Sequence, residues 1–327
     1  MRYFVFLLLI GACASPEKES PGSFERLDPR LDEILSPEAT LEIISEGYEW
    51  SEGPVWVEHE NMLLFSDVPM NTVYKWTEQG GTQVYLKPSG FTGDSTTSRE
   101  PGSNGLLLYH DSLILCQHGD RRVAKMEANL ANPKSEFKTW AATYKGKRLS
   151  SPNDAALRNN GDIFFTDPPY GLGQQNEDPQ KELPFNGVYK VTPAGVVTLL
   201  VDTLTRPNGI ILMPGNNKLI VANSDPAKAM WYEYELNDQD SIMQGRVFYN
   251  ATGNLATENG LPDGLKVDSQ GTIFASGPGG IWIFDSTGKV LGRIRLTELA
   301  ANCALSTDEK TLYITADRYV LRVKLRK

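Results

Sequence analysis

A short turn built around an oxygen-bearing side chain recurs six times along the chain. It reads "SEGPVW" at Glu52, "GSNGLLL" at Asn104, "SPNDAAL" at Asn153, "RPNGIIL" at Asn208, "LPDGLKV" at Asp263 and "AANCALS" at Asn302. The intervals are 52, 49, 55, 55 and 39 residues. Each turn leads into an apolar segment and then a second one, "MLLFSD", "SLILCQH", "DIFFTD", "KLIVAN", "TIFAS" and "TLYITAD" in order. Third and fourth segments follow in most units, such as "GVYKVT" and "VVTLLVD". Short runs rich in Val, Ile, Tyr, Phe and Trp between Gly, Asn and Asp turns are β-meander signals. Four strands in a repeat of roughly 40–55 residues describe a propeller blade. The expected fold is therefore all-β, a six-bladed β-propeller with four-stranded blades. The last unit lacks a fourth strand before Lys327, and "ATLEIISEG" ahead of Glu52 is the expected donor. That N-terminal strand would close the ring and cover an edge. A β-sandwich gives no reason for six matching turns.

If each turn opens the innermost strand of its blade, the six side chains meet at one mouth of the central channel. All six carry oxygen, and none is His or Cys. Two carboxylates among amides favour a hard divalent cation, calcium first and magnesium second. Taken singly, a Pro-Asp-Gly or Pro-Asn-Gly is a turn and nothing more; the repetition is what suggests ligation. The ends of the second segments, Asp67, His118, Asp167, Asn223 and Ser276, are expected around the same mouth. His118 is a candidate substrate contact. The segment 167–187, "DPPYGLGQQNEDPQKELPFNG", is long for a hairpin connection and is a candidate lid, with Tyr170 and Phe185 as its apolar surface.

The N-terminus reads differently. "MRYFVFLLLIGACAS" has an early Arg2, an apolar run too short to span a bilayer, and small residues. "LIGAC" resembles a bacterial lipoprotein signal box. The expected division is a signal over 1–12, a lipidated Cys13 with a polar tether over 13–38, and the propeller over 39–327. Ala14 follows the cysteine, with no aspartate there to suggest inner-membrane retention. The expected place is a bacterial cell envelope, on the outer membrane facing the periplasm or the cell surface. Membrane contact is then through the lipid alone. The net charge is −9 and no basic cluster follows a strand face, which argues against a nucleic-acid partner. Cys116 and Cys303 show no zinc-type spacing and read as small apolar residues.

"EGPVW", "SPND", "RPNG" and "PDGL" resemble the senescence-marker-protein/gluconolactonase/luciferin-regenerating-enzyme (regucalcin-like) family of propellers. "REPGSNGLLL", "CQHGDRRV", "FTDPPYGL" and "LPFNGVYKV" look like its bacterial gluconolactonase-type branch. The resemblance implies one divalent cation in the channel, Ca2+ first, with Mg2+, Mn2+ or Zn2+ as alternatives. It implies Glu52, Asn208 and Asp263 as core ligands, and Asn153 as a ligand or substrate contact. Asp263 is implied as the general base and Asn104 as a substrate-side residue. The expected chemistry is hydrolysis of a small-molecule sugar lactone, with the metal polarising the carbonyl and Asp263 assisting the attacking water. A phosphotriesterase or esterase at the same metal, and a non-enzymatic ligand-binding propeller, are the alternatives. No "GxSxG" elbow is present for a serine route.

Overall fold

A computed structural model describes residues 20–326. The expected signal segment 1–12 and Cys13 lie outside the described residues. Among the described residues, no helix is long and apolar enough to cross a membrane.

Alternating apolar and polar residues, broken by tight turns, give antiparallel four-stranded sheets. Blade 1 comprises Ser51–Val57, Met62–Asp67, Thr72–Thr77 and Gly81–Leu86. Blade 2 comprises Ser103–Tyr109, Ser112–Gln117, Arg122–Met126 and Phe137–Ala141. Blade 3 comprises Ala155–Leu157, Ile163–Asp167, Gly187–Val191 and Val197–Val201, and blade 4 comprises Pro207–Leu212, Lys218–Asp225, Lys228–Leu236 and Ile242–Asn250. Blade 5 runs Leu265–Val267, Ile273–Gly277, Gly280–Phe284 and Val290–Leu296. Blade 6 is built from Ala300–Leu305, Thr311–Ala316, Tyr319–Lys324 and, outermost, the N-terminal strand Leu41–Glu46. Leu41 pairs with Val323 and Glu46 with Tyr319, so the ring is closed by the expected strand.

Each sheet buries both faces against its neighbours, and one apolar cluster fills each interface. Val57, Leu64, Leu106 and Leu115 join blades 1 and 2. Cys116, Ile163, Phe165 and Tyr189 join blades 2 and 3, and Phe164, Val188, Ile210 and Val221 join blades 3 and 4. Trp231, Trp282 and Phe284 dominate the next interface, Ile281, Ile294, Ile314 and Leu321 the one after, and Leu63, Phe65, Tyr313 and Val320 close the circle. Cys116 and Cys303 are buried, free thiols.

The N-terminal boundary differs from expectation. Residues 22–35, assigned by composition to a polar tether, belong to the propeller. Gly22–Arg26 adds a fifth strand to the outer edge of blade 5, Phe24 opposite Ile294. A short helix, Leu31–Ile34, follows, and Leu31, Ile34 and Leu35 are buried in the cluster between blades 5 and 6. Four apolar residues among charges suffice because the arm docks on an existing sheet edge and supplies only one side of the contact.

Candidate active site

The six turns do converge on the channel, and the glycine that follows most of them has a structural reason. A Cβ on Gly53 would lie 2.0 Å from the backbone oxygen of Asn104, and one on Gly209 would lie 2.2 Å from that of Asp263. The ring is thus so tight that one blade's turn nests against the backbone of the next. Hydroxyls from the second strands stitch it: Ser66 donates to Asn104 O at 2.9 Å, Thr166 to Asn208 O at 2.6 Å and Ser276 to Ala301 O at 2.7 Å. Asp154 and Cys303 stand where the other turns have glycine.

Five of the six ring residues, Glu52, Asn104, Asn153, Asn208 and Asp263, line one cavity of about 310 Å³. Trp50, Tyr170, Leu261 and Leu299 form its apolar walls, and Glu100 and Ser224 add polar groups. Among the ring residues, Oδ1 of Asn104, Asn153, Asn208 and Asp263 is buried without a hydrogen-bond partner. Asn208 Nδ2 donates to Ser224 Oγ at 3.0 Å, while its Oδ1 has no hydrogen-bond partner. Four such orphans in one place are costly, on the order of 1–3 kcal/mol each. A larger polar cleft of about 510 Å³ lies apart, between segments 95–98 and 171–180, and contains no ring residue.

The sixth ring residue does something else. Asn302 lies beneath the cavity, where its Nδ2 donates to Glu52 Oε2 at 3.1 Å and to Asp154 Oδ2 at 3.4 Å. Its Oδ1 accepts from Cys303 N at 2.9 Å and from Lys266 Nζ at 3.2 Å. Lys266 Nζ is also 3.8 Å from Asp154 Oδ2. Sequence reasoning passed over Asp154 and Lys266. Asp154 was visible as the residue breaking the Asn-Gly pattern, whereas Lys266 looked like one polar residue on an apolar strand.

Two carboxylates here, Glu52 and Asp263, strongly disfavour their charged forms. Burial, then the Asp154 charge, pushes the Glu52 carboxyl up to about 7. Burial, then Glu52, Asp154 and Glu100, holds Asp263 well above the usual carboxylate range. Burial and the Asp263 charge also raise the Tyr170 phenol. One ammonium, Lys266, faces this group of acids. Unpartnered oxygens beside crowded carboxylates are groups that could hold a hard cation. Among the described residues, no three His, Cys, Asp or Glu side chains group as a metal site; the candidate donors are two carboxylates and amide oxygens.

The residues expected around the mouth from the second strands are braces instead. Asp67 accepts from the backbone N–H of Glu49 and Trp50, Asp167 from Ser150 and Ser151 at 2.8 and 2.7 Å, and Asn223 from Arg206 at 2.8 Å. Each fixes the chain just ahead of a ring residue. In blade 2 the residue in that register is Gln117, opposite Ser103 as Asp67 is opposite Ser51. His118 is therefore one step past the strand end, fully buried, and outside the cavity wall where a substrate contact was expected. The segment 167–187 does bring Tyr170 to the cavity, with Arg206 stacked 5.8 Å from its ring centre. The rest of the segment is tied down: Leu183 is buried and Phe185 packs into the cluster between blades 2 and 3. Asn186 Nδ2 donates to Thr205 O at 2.7 Å.

The SMP-30/Gluconolactonase/LRE-like region matches residues 50–318. A gluconolactonase from Zymomonas mobilis is 39% identical over 311 residues, covering 93% of this chain and 86% of that protein. A solved structure from Xanthomonas campestris, described as a gluconolactonase important in glucose secondary metabolic pathways, superposes with a TM-score of 0.79 at 28% identity, covering 96% of this chain and 99% of that one. The structure of a calcium-binding regucalcin from Agrobacterium tumefaciens shares the fold, with a TM-score of 0.68 at 13% identity over 88% of this chain and 95% of that one. Six oxygen-bearing turns on a six-bladed ring, matched over nearly the whole propeller, make this chain a member of the SMP-30/gluconolactonase/LRE-like family.

Proposed function

We propose that the protein is a metal-dependent lactonase acting on a sugar lactone, with glucono-1,5-lactone as the first substrate to try. The observation that carries this reading is the set of four unpartnered oxygens, from Asn104, Asn153, Asn208 and Asp263, gathered with Glu52 in one cavity. The likeness to the Zymomonas gluconolactonase supports the substrate class. Glu52, Asn153, Asn208 and Asp263 are assigned as the residues that hold a divalent cation, calcium by preference for an all-oxygen donor set. When bound, that cation supplies Lewis-acid polarisation of the lactone carbonyl.

The chain's own groups do the rest. Asp263 takes a proton from the attacking water as its oxygen bonds to the carbonyl carbon. The ring C–O bond breaks, and the departing oxygen leaves as a hydroxyl by taking the proton that Asp263 received, which returns Asp263 to its carboxylate form. Tyr170, kept protonated by burial and by the charge of Asp263, is a hydrogen-bond donor in the same cavity. Asn104 and Tyr170 are assigned to the substrate hydroxyls, while Trp50, Leu261 and Leu299 exclude bulk water. The test is acid release from glucono-1,5-lactone by metal-stripped protein as calcium, magnesium, manganese and zinc are restored in turn. Turnover above the spontaneous rate is expected with calcium. Turnover fully retained without any divalent ion would end the metal assignment.

We also assign the protein to the bacterial cell envelope, anchored through lipid on Cys13, on the strength of the "LLLIGAC" stretch. Cys13→Ser is expected to move the protein from the detergent phase to the aqueous phase in a partition assay; an unchanged distribution would refute the anchor.

A further inference from the structure

We infer that Glu100 and His118 form a positioning relay that decides which end of the Asn153 amide faces the cavity. The inference rests on the cation-site reading above and concerns two residues given no role there.

His118 is held rigidly. Its N–H donates to Gly102 O at 3.1 Å, and its own O accepts from Arg121 N at 3.2 Å. Gly171 lies so close that an added Cβ would sit 2.8 Å from the His118 Cβ. The fully buried ring meets one functional group on each side. Nδ1 is 3.4 Å from Glu100 Oε2, within ion-pair reach though without the alignment of a strong hydrogen bond. Nε2 is 3.3 Å from Asn153 Nδ2. Glu100 itself lines the cavity.

A neutral imidazole carries one N–H and one lone pair. The Asn153 Nδ2 only donates, so it requires the lone pair on Nε2. The ring proton then lies on Nδ1, facing the Glu100 carboxylate, which only accepts when ionised. With Nδ2 engaged by the ring, Asn153 Oδ1 is turned away from His118. That oxygen is buried and has no protein partner. The reversed amide would set Oδ1 against Nε2, move the proton there, and point the Nδ1 lone pair at a carboxylate. Glu100, 3.4 Å from Nδ1, opposes that arrangement, so its placement is read through the ring as an amide orientation. An asparagine that ligates a cation must present oxygen, and this relay makes it do so before the cation arrives.

The experiment pairs calcium titration calorimetry on metal-stripped protein with nitrogen NMR of the histidine ring. His118→Leu removes the acceptor and is expected to weaken calcium binding about tenfold. His118→Gln, whose Oε1 can accept from Asn153 Nδ2, is expected to restore most of it, which a purely packing role would not require. The wild-type ring is expected to carry its proton on Nδ1, and Glu100→Gln to populate both tautomers. Wild-type affinity in His118→Leu, or a wild-type ring protonated on Nε2, would overturn the relay. If His118→Leu does not fold, the ring spectra of wild type and Glu100→Gln decide. If wild type takes up no divalent cation, the site reading fails separately, and the same spectra still decide the relay.

Discussion

Two layers of polar groups lie in the channel, one above the other, and they are built to opposite standards. In the lower layer, Asn302, Asp154 and Lys266 satisfy one another, and Asn302 also holds Glu52. In the upper layer, four buried oxygens have no partner. Ordinary folding leaves few such groups. One layer is satisfied within itself and the next is left open, with the same kinds of residue in both. On the function proposed above, the lower layer belongs to stability and the upper to ligand.

That division can be broken most sharply at Asp263. Asp263→Asn is expected to lower lactone turnover about a thousandfold or more, the scale of losing a general base, while the unfolding midpoint of the metal-free protein stays the same or rises. Turnover near wild type would remove Asp263 from the chemistry. The second effect is on pH. The Glu52 carboxyl, pushed up to about 7 in the fold from an ordinary 4.5, ionises more easily in the unfolded chain. Its contribution to stability is complete below about pH 4.5 and is lost as pH rises toward 7. The loss from this one group is on the order of 3 kcal/mol. Urea denaturation of stripped protein should show that decline, and added calcium should cancel it by binding the native state. A flat profile would mean that the upper layer carries no such tension.

Gly209→Ala tests the scaffold shared by both layers. Its methyl meets the backbone oxygen of Asp263, so a loss of about 2–3 kcal/mol is expected, with weakened calcium binding alongside. Full stability would show that the ring has slack. The smallest effect is expected in the lower layer. Lys266→Met leaves the buried Asp154 with only the Asn302 amide and the Ala155 N–H and should cost about 1–2 kcal/mol, since the ammonium is partly exposed. If instead this variant lost turnover with unchanged stability, the two layers would have exchanged roles.

Much of this was legible in the sequence because the ring imposes its geometry on residue type. An oxygen-bearing side chain opens every blade, and in four of the six a glycine follows it because the channel is crowded. The closing strand was legible for a related reason: "ATLEIISEG" alternates, and blade 6 was one strand short. The arm over 22–35 was not, because a strand added to an edge needs few apolar residues and its partners are remote in sequence. His118 was misplaced by one residue: the register position belongs to Gln117, and His118 follows the strand end with its ring against Asn153. Glu100 sat inside the quoted stretch "REPGSNGLLL" but was given no role, since it reaches the cavity from an irregular segment with no strand register to read.

The closing strand also governs the order of events as the chain folds. Leu41–Glu46 is among the first described segments to leave the ribosome, and its partner Tyr319–Lys324 is among the last. Five blades can form from local hairpins as they appear, each quick to pair. The sixth awaits a contact between nearly the two ends of the chain, the slowest kind to find. Until then the apolar surfaces of blades 1 and 6 stand open at two faces of an incomplete ring, and the species with the greatest tendency to aggregate is the nearly finished one.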